Sequence, residues 1–176
     1  MKRLSIALIA SAIFLAPLAA VAEGSGLEAG LGLGVDGILP VMGDYGLLGL
    51  VMDLRAGGYV GYSPFAAGNA ALGLEIGAWA FALPLGELPL VMAEFPAYLT
   101  AGFPIGDRFS FTAQAGYCLI LGVGEDVELT HCAALGARFL FGRHFAEVGA
   151  FAPLASSDGG AVSFALLPHA AFGWRL

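Results

Sequence analysis

Leu27-Glu28-Ala29-Gly30-Leu31-Gly32-Leu33-Gly34-Val35-Asp36 alternates without a break between Leu27, Ala29, Leu31, Leu33 and Val35 on one side and Glu28, Gly30, Gly32, Gly34 and Asp36 on the other. A period of two sends successive side chains to opposite faces of an extended strand, so one face is apolar and the other holds only glycine and carboxylate. The same run is a poor helix, because each interior glycine costs about 1 kcal/mol relative to alanine.

The alternation recurs seven more times, over residues 49–62, 70–83, 90–103, 109–121, 129–141, 144–154 and 161–176. Wherever a run carries charged Asp, Glu or Arg, the charge falls on the glycine-rich face: Asp53 and Arg55, Glu75, Glu94, Arg138, Glu147, then Arg175, with His169 on the same face. Between the runs lie turn clusters at residues 39–46, 63–69, 84–89, 104–107, 122–128, 142–143 and 155–160, rich in Gly, Pro, Asp and Ser. An all-α membrane protein is excluded despite 59% hydrophobic residues, since the longest charge-free stretch beyond the N-terminal segment, Ala56 to Leu74, contains Gly57, Gly58, Gly61, Pro64, Gly68 and Gly73.

Eight alternating segments, each long enough to cross a bilayer, predict an all-β protein: an eight-stranded antiparallel up-and-down transmembrane β-barrel. A soluble barrel would turn the charged face to water and enclose the Leu, Phe and Val side chains. The glycines argue against it, because a water-facing surface favours larger polar residues whereas a narrow lumen needs small ones. Tyr62, Phe103, Phe109, Phe141, Phe172 and Trp174 fall near strand ends, as in the aromatic girdles of membrane barrels.

Met1-Lys2-Arg3, the apolar stretch Leu4 to Pro17 and the small-residue site Ala20-Val21-Ala22 have the layout of a secretory signal peptide, which assigns residues 1–22 to the leader and 23–176 to the barrel. All 27 glycines and all 14 acids lie beyond Ala22, against Arg55, Arg108, Arg138, Arg143 and Arg175 and no lysine. So acidic a chain lacks the clustered cations that bind a phosphate backbone, and nucleic acid is excluded as a partner.

The final strand, with Phe172, Trp174 and Leu176 alternating up to the last residue, resembles the C-terminal assembly signal of bacterial outer-membrane barrels, although it ends in leucine where phenylalanine is commoner. With the leader and the eight strands, the chain resembles a small outer-membrane barrel of the OmpA/OmpX type. That resemblance implies a bacterial outer membrane, delivery by periplasmic chaperones and the barrel-assembly machinery, and a monomer in outer-membrane lipid. It implies no particular activity and no cofactor.

An eight-stranded barrel has an interior filled by side chains, so inward charges must be paired. A two-residue turn at Gly142-Arg143, with glycine in the first position of a type II′ hairpin, places Phe141 opposite His144 and Arg138 opposite Glu147. A hairpin around Ser157-Asp158 places Glu147 opposite His169. Arg138, Glu147 and His169 then form one inward row, with Glu28 and Arg175 on the adjoining first and last strands, and Asp53, Arg55, Glu75 and Glu94 form a second cluster. A Ser163-His169-acid triad is disfavoured, because six residues of strand separate serine and histidine by about 20 Å.

Cys118 and Cys132 face each other if their hairpin centres on Glu125, and form either a cross-strand disulfide or two buried thiols. No spacing suggests a metal site. With periplasmic termini the outer loops carry Asp44, Glu87, Glu125, Asp126, Glu128 and Asp158, an acidic rim, while Arg108 and Arg143 lie at the other end. The expected function is a structural or interaction role without catalysis. A small-solute or ion channel requires a continuous wet path through the lumen, and a lipid-modifying enzyme requires a lipid-facing nucleophile and base.

Overall fold

The computed structural model describes residues 27–40, 51–67, 69–83, 90–106, 108–123, 127–156 and 164–176. They form β1 (Leu27–Pro40), β2 (Val51–Ala67), β3 (Ala70–Leu83), β4 (Leu90–Pro104), β5 (Phe109–Val123), β6 (Val127–Phe141), β7 (His144–Ser156) and β8 (Phe164–Arg175). Each strand pairs antiparallel with its neighbours in the chain, and β1 also pairs with β8, so the sheet closes into an eight-stranded up-and-down barrel. Facing partners followed once around the wall run from Glu28 through Gly61, Glu75, Tyr98, Gly116, Ala134 and Phe151 to Leu167. They return to β1 about ten residues above the start, a stagger that goes with strands tilted by about 40°.

Burial is inverted relative to a water-soluble protein. Asp36, Arg55, Glu75, Glu94, Arg138 and Glu147 are buried inside, while Leu33, Leu54, Leu74, Ile76, Leu99, Leu135 and Val148 are exposed on the outer wall. The period-two pattern is the direct cause, since every charged strand residue shares its parity with most of the glycines of the wall. Phe103, Phe111 and Phe139 stack across β4, β5 and β6 near the end that carries the termini. Phe141, His144, Phe172 and Trp174 continue that outer ring across β6, β7 and β8.

Several strands outrun the alternation. β2 does not end at Tyr62: its register with β3 shifts between Tyr62 and Phe65, and Phe65 then resumes the outward face opposite Leu72. The shift accommodates Ser63 and Pro64, whose sequence reads as a turn but forms an irregularity inside a longer strand. β5 and β6 likewise reach Val123 and Val127, which shortens the loop between them, and β7 reaches Ser156 while β8 begins at Phe164. In the turn after β6, Gly142 has a φ of 64° while no non-glycine residue among the described ones has positive φ, so Arg143 does not, as a type II′ hairpin requires. The signal segment 1–22 and the loop residues Asp44, Glu87, Glu125, Asp126 and Asp158 lie outside the described residues, as does Ser163.

The lumen is not thinly filled. Its glycines face large inward side chains: a Cβ on Gly32 would stand 2.9 Å from Phe145 Cζ, and one on Gly57 would stand 2.9 Å from Trp79 Cδ2. Glycine in this barrel makes room for aromatic rings and does not leave a pore.

Candidate functional site

The inward face brings two arginines to the middle of the barrel. Arg138 on β6 donates from Nη1 to Glu75 Oε2 at 2.5 Å and from Nη2 to Glu75 Oε1 at 2.8 Å, a two-pronged grip across the lumen to β3. Its Nε donates to Glu147 Oε2 at 3.0 Å, and Nη2 bonds the same oxygen. The guanidinium lies over the Tyr59 ring, 3.3 Å from its centroid, with Phe145 at 5.3 Å. Gln114 Nε2 adds a hydrogen bond to Glu75 Oε1 at 3.0 Å.

Arg55 on β2 forms the second centre. Its Nη1 is 3.1 Å from Asp36 Oδ1 and 3.4 Å from Glu94 Oε2, its Nη2 is 4.0 Å from Glu147 Oε1, and its guanidinium lies 4.0 Å from the Trp79 ring centre. Glu147 therefore joins the two arginines, and a single network spans the lumen where the sequence predicts two separate clusters. Glu75 pairs across the barrel with Arg138, because the stagger brings β3 and β6 residues distant in sequence to one level. Asp53 is not in the network: its Oδ1 accepts from the Leu54 backbone N–H at 2.7 Å, and Asp36, one strand over, takes the place beside Arg55.

The β7–β8 register is two residues away from the expected one. Gly149 faces His169 and Glu147 faces Ala171. His169 still approaches Glu147, with Nε2 3.8 Å from Oε1, because its imidazole lies over the bare backbone of Gly149. Glu28 and Arg175 pair at 3.6 Å at the mouth beside the termini, where both are partly exposed, and Glu28 also accepts from the Tyr59 hydroxyl at 2.6 Å. A cavity of about 480 Å³ opens there, lined in part by Glu28, Ser110, Thr112 and Arg175.

Toward the other end the lumen is closed by apolar side chains. Phe81, Met92, Ile120, Phe151 and Leu167 pack with Tyr98, Cys118 and Cys132 into one buried cluster. Cys118 and Cys132 are direct cross-strand partners and both are free thiols. Among the described residues no group of His, Cys, Asp and Glu has the geometry to hold a metal ion.

Four members of the lumen filling escape a reading confined to charge, Tyr59, Trp79, Gln114 and Phe145, and Asp36 has the inward face but lies outside the two expected clusters. All lie on the inward parity of their strands, so the alternation contains the signal, and their roles come from cross-lumen packing. On the outer wall the structure also joins Tyr117 and His131 by a hydrogen bond between the phenol oxygen and Nδ1.

At the C-terminus, Phe172, Trp174 and Leu176 are exposed on the outer face, and the last strand is tied down at its end. The Arg175 N–H donates to Arg143 O at 2.7 Å and the Leu176 N–H to Ala29 O at 2.9 Å.

A closed eight-stranded up-and-down barrel with charges inside and apolar side chains outside is the fold of the small OmpA/OmpX-type barrels. Among solved structures the chain is similar to Ail, the attachment invasion locus protein of Yersinia pestis, with a TM-score of 0.52 over 85% of this chain and 97% of that one. The two are 10% identical, so the likeness is one of fold. No family model and no curated protein matches the sequence.

Proposed function

We propose that this protein is a monomeric barrel of the bacterial outer membrane with a non-enzymatic structural or interaction role, its lumen plugged by the Arg55–Arg138 network. The observation that carries this reading is the inversion of burial: guanidiniums and carboxylates sit inside while leucine, phenylalanine and tryptophan cover the wall. In water such a surface would be a continuous aggregation hazard, whereas in lipid it is the only arrangement that satisfies both backbone and side chains. The connections at the terminal end are two to four residues long, and three of the four at the other end are six residues or more, which matches periplasmic turns and outer loops. The ring of outer aromatics fits the periplasmic lipid boundary. The likeness to Ail supports the outer-membrane location at the level of fold.

The apolar cluster from Phe81 to Leu167 argues against a channel, since it leaves no continuous polar path among the described residues. As an ionic plug, the network fixes the wall from within and requires no ligand. Delivery through the periplasm, cleavage after Ala22 and the assembly role of Phe172, Trp174 and Leu176 belong to the same reading. The test is gel mobility of detergent-folded protein with and without boiling. A compact, heat-modifiable species is expected; a chain that remains soluble and monodisperse without detergent refutes the membrane assignment.

A further inference from the structure

We infer that the terminal-end rim beside β5, β6 and β7 binds the phosphate of an anionic glycerophospholipid between Arg108 and Arg143. The inference rests on the membrane reading above and adds a particular occupant at a particular place. Of the five arginines beyond the leader, Arg55 and Arg138 belong to the lumen network and Arg175 pairs with Glu28. Arg108 and Arg143 are the remaining two; both are exposed, and neither has an ion pair among the described residues. Asp107, next to Arg108 in sequence, lies outside the described residues.

The fold sets these two cations side by side. Arg108 closes the connection between β4 and β5, Arg143 lies in the turn between β6 and β7, and the Gly142 N–H donates to Arg108 O at 3.2 Å. The Arg143 carbonyl accepts from the Arg175 N–H at 2.7 Å, so backbone bonds hold both turns in one ledge. Neighbouring strands stand about 5 Å apart, and a single phosphate group reaches guanidiniums rooted at both turns. The third connection at this end, between β2 and β3, is Gly68-Asn69 and carries no charge. The unpaired cations therefore occupy one side of the barrel, which makes a site and not a uniform ring.

Immediately above the ledge lies a row of outward rings. In the strand registers Phe109 faces Phe141, Phe141 faces His144 and His144 faces Trp174. A second tier of Phe111, Phe139 and Phe172 stands behind it, and Phe109, Phe139, Phe172 and Trp174 are all exposed. Such tiers mark the depth at which acyl chains give way to headgroups. A lipid whose chains lie against these rings carries its phosphate just beyond them, at the level of Arg108 and Arg143. Guanidinium and phosphate form charge-assisted hydrogen bonds, and the attraction is larger for a headgroup that carries no cation of its own.

The experiment is native mass spectrometry of the detergent-folded barrel titrated with phosphatidylglycerol and, in parallel, with phosphatidylcholine of the same acyl chains. The unaltered chain retains one phosphatidylglycerol and holds phosphatidylcholine about tenfold more weakly. Arg108→Gln and Arg143→Gln each weaken phosphatidylglycerol about fivefold, and the double variant holds the two lipids alike. Arg175→Gln, which removes the same charge from the same rim, leaves the preference as it is. Equal retention of the two lipids by the unaltered chain, or a loss in Arg175→Gln as large as in Arg143→Gln, overturns the site and leaves the membrane barrel standing. Displacement of the lipid by equimolar glycerophosphoglycerol, the headgroup without its chains, overturns a lipid as the occupant. A chain soluble without detergent overturns this site and the membrane reading together. Heat-modifiable mobility of each variant confirms that the barrel has folded.

Discussion

Arg138→Ala should destabilise this barrel by about 3–5 kcal/mol, far more than Arg175→Ala. Arg138 is 2% exposed; its removal deletes the two-pronged bond to Glu75, the bonds to Glu147 and the contact with the Tyr59 face. The larger part of the loss comes from what remains. Among the described residues, Glu75 keeps only the Gln114 amide as a hydrogen-bond donor, at 3.0 Å, and Glu147 keeps only Arg55 at 4.0 Å and His169 at 3.8 Å, so two carboxylates stay buried with little compensation. Arg175, by contrast, has a side chain 41% exposed and pairs with a Glu28 side chain 30% exposed, and such a pair contributes about 0–1 kcal/mol. Equilibrium urea unfolding in detergent, followed by tryptophan fluorescence, measures both. The triple change Arg138→Met, Glu75→Gln and Glu147→Gln should recover most of the loss, because it removes the unpaired charges together with their partner. A single-variant loss below about 1 kcal/mol, or a triple variant no more stable than Arg138→Ala, would refute the reasoning that this network is a buried, mutually dependent plug.

Gly32→Val should lower the unfolding midpoint by an amount equivalent to about 1–3 kcal/mol, since its Cβ meets both Phe145 and the Phe172 carbonyl at 2.9 Å; thermal melts in detergent check it. Gly142→Val forces a β-branched residue to a φ of 64° and should cost about 1–2 kcal/mol, whereas Gly142→Asn should cost less; similar values for the two would contradict the turn assignment. Alkylating reagent should leave Cys118 and Cys132 unmodified in the folded barrel and label both after denaturation without reductant, and a requirement for reductant would show that the facing pair had cross-linked. Planar-bilayer recordings should show no unit conductance, because the cluster around Phe81 and Ile120 closes the lumen; steady current steps would mean a water path past it.

The wall of this barrel is legible residue by residue in the sequence. Period two needs only local chain geometry, so Leu27 to Asp36 already reveals which side chains face lipid and which face inward. What lies across the lumen is another matter. Arg138 and Glu75 are 63 positions apart and meet because three successive strand registers and the overall stagger bring them level, a sum that small errors in any hairpin would change. The two-residue displacement of His169 relative to Glu147 arises in this way, from the register between β7 and β8. Pro64 misleads for a local reason: it reads as the end of a strand, and the strand instead absorbs it in a register shift and goes on to Ala67. Tyr117 and His131 were visible as outward residues, but they are offset on adjacent strands and only the side-chain geometry joins them.

The reach of the ionic network also constrains how such a barrel can be put together. Its members come from β1, β2, β3, β4, β6, β7 and β8; the β6–β7 hairpin already pairs Arg138 with Glu147 and the β1–β2 hairpin Arg55 with Asp36, but Glu75 on β3 meets its arginine on β6 only when the ring has closed. An arginine on an open sheet needs water, and the same sheet's opposite face needs lipid. A partly zipped wall therefore has no comfortable depth in a bilayer, and threading into the membrane and closure of the ring become one concerted event. Assembly of this chain should be all-or-none in kinetics, with open intermediates confined to the surface of the membrane.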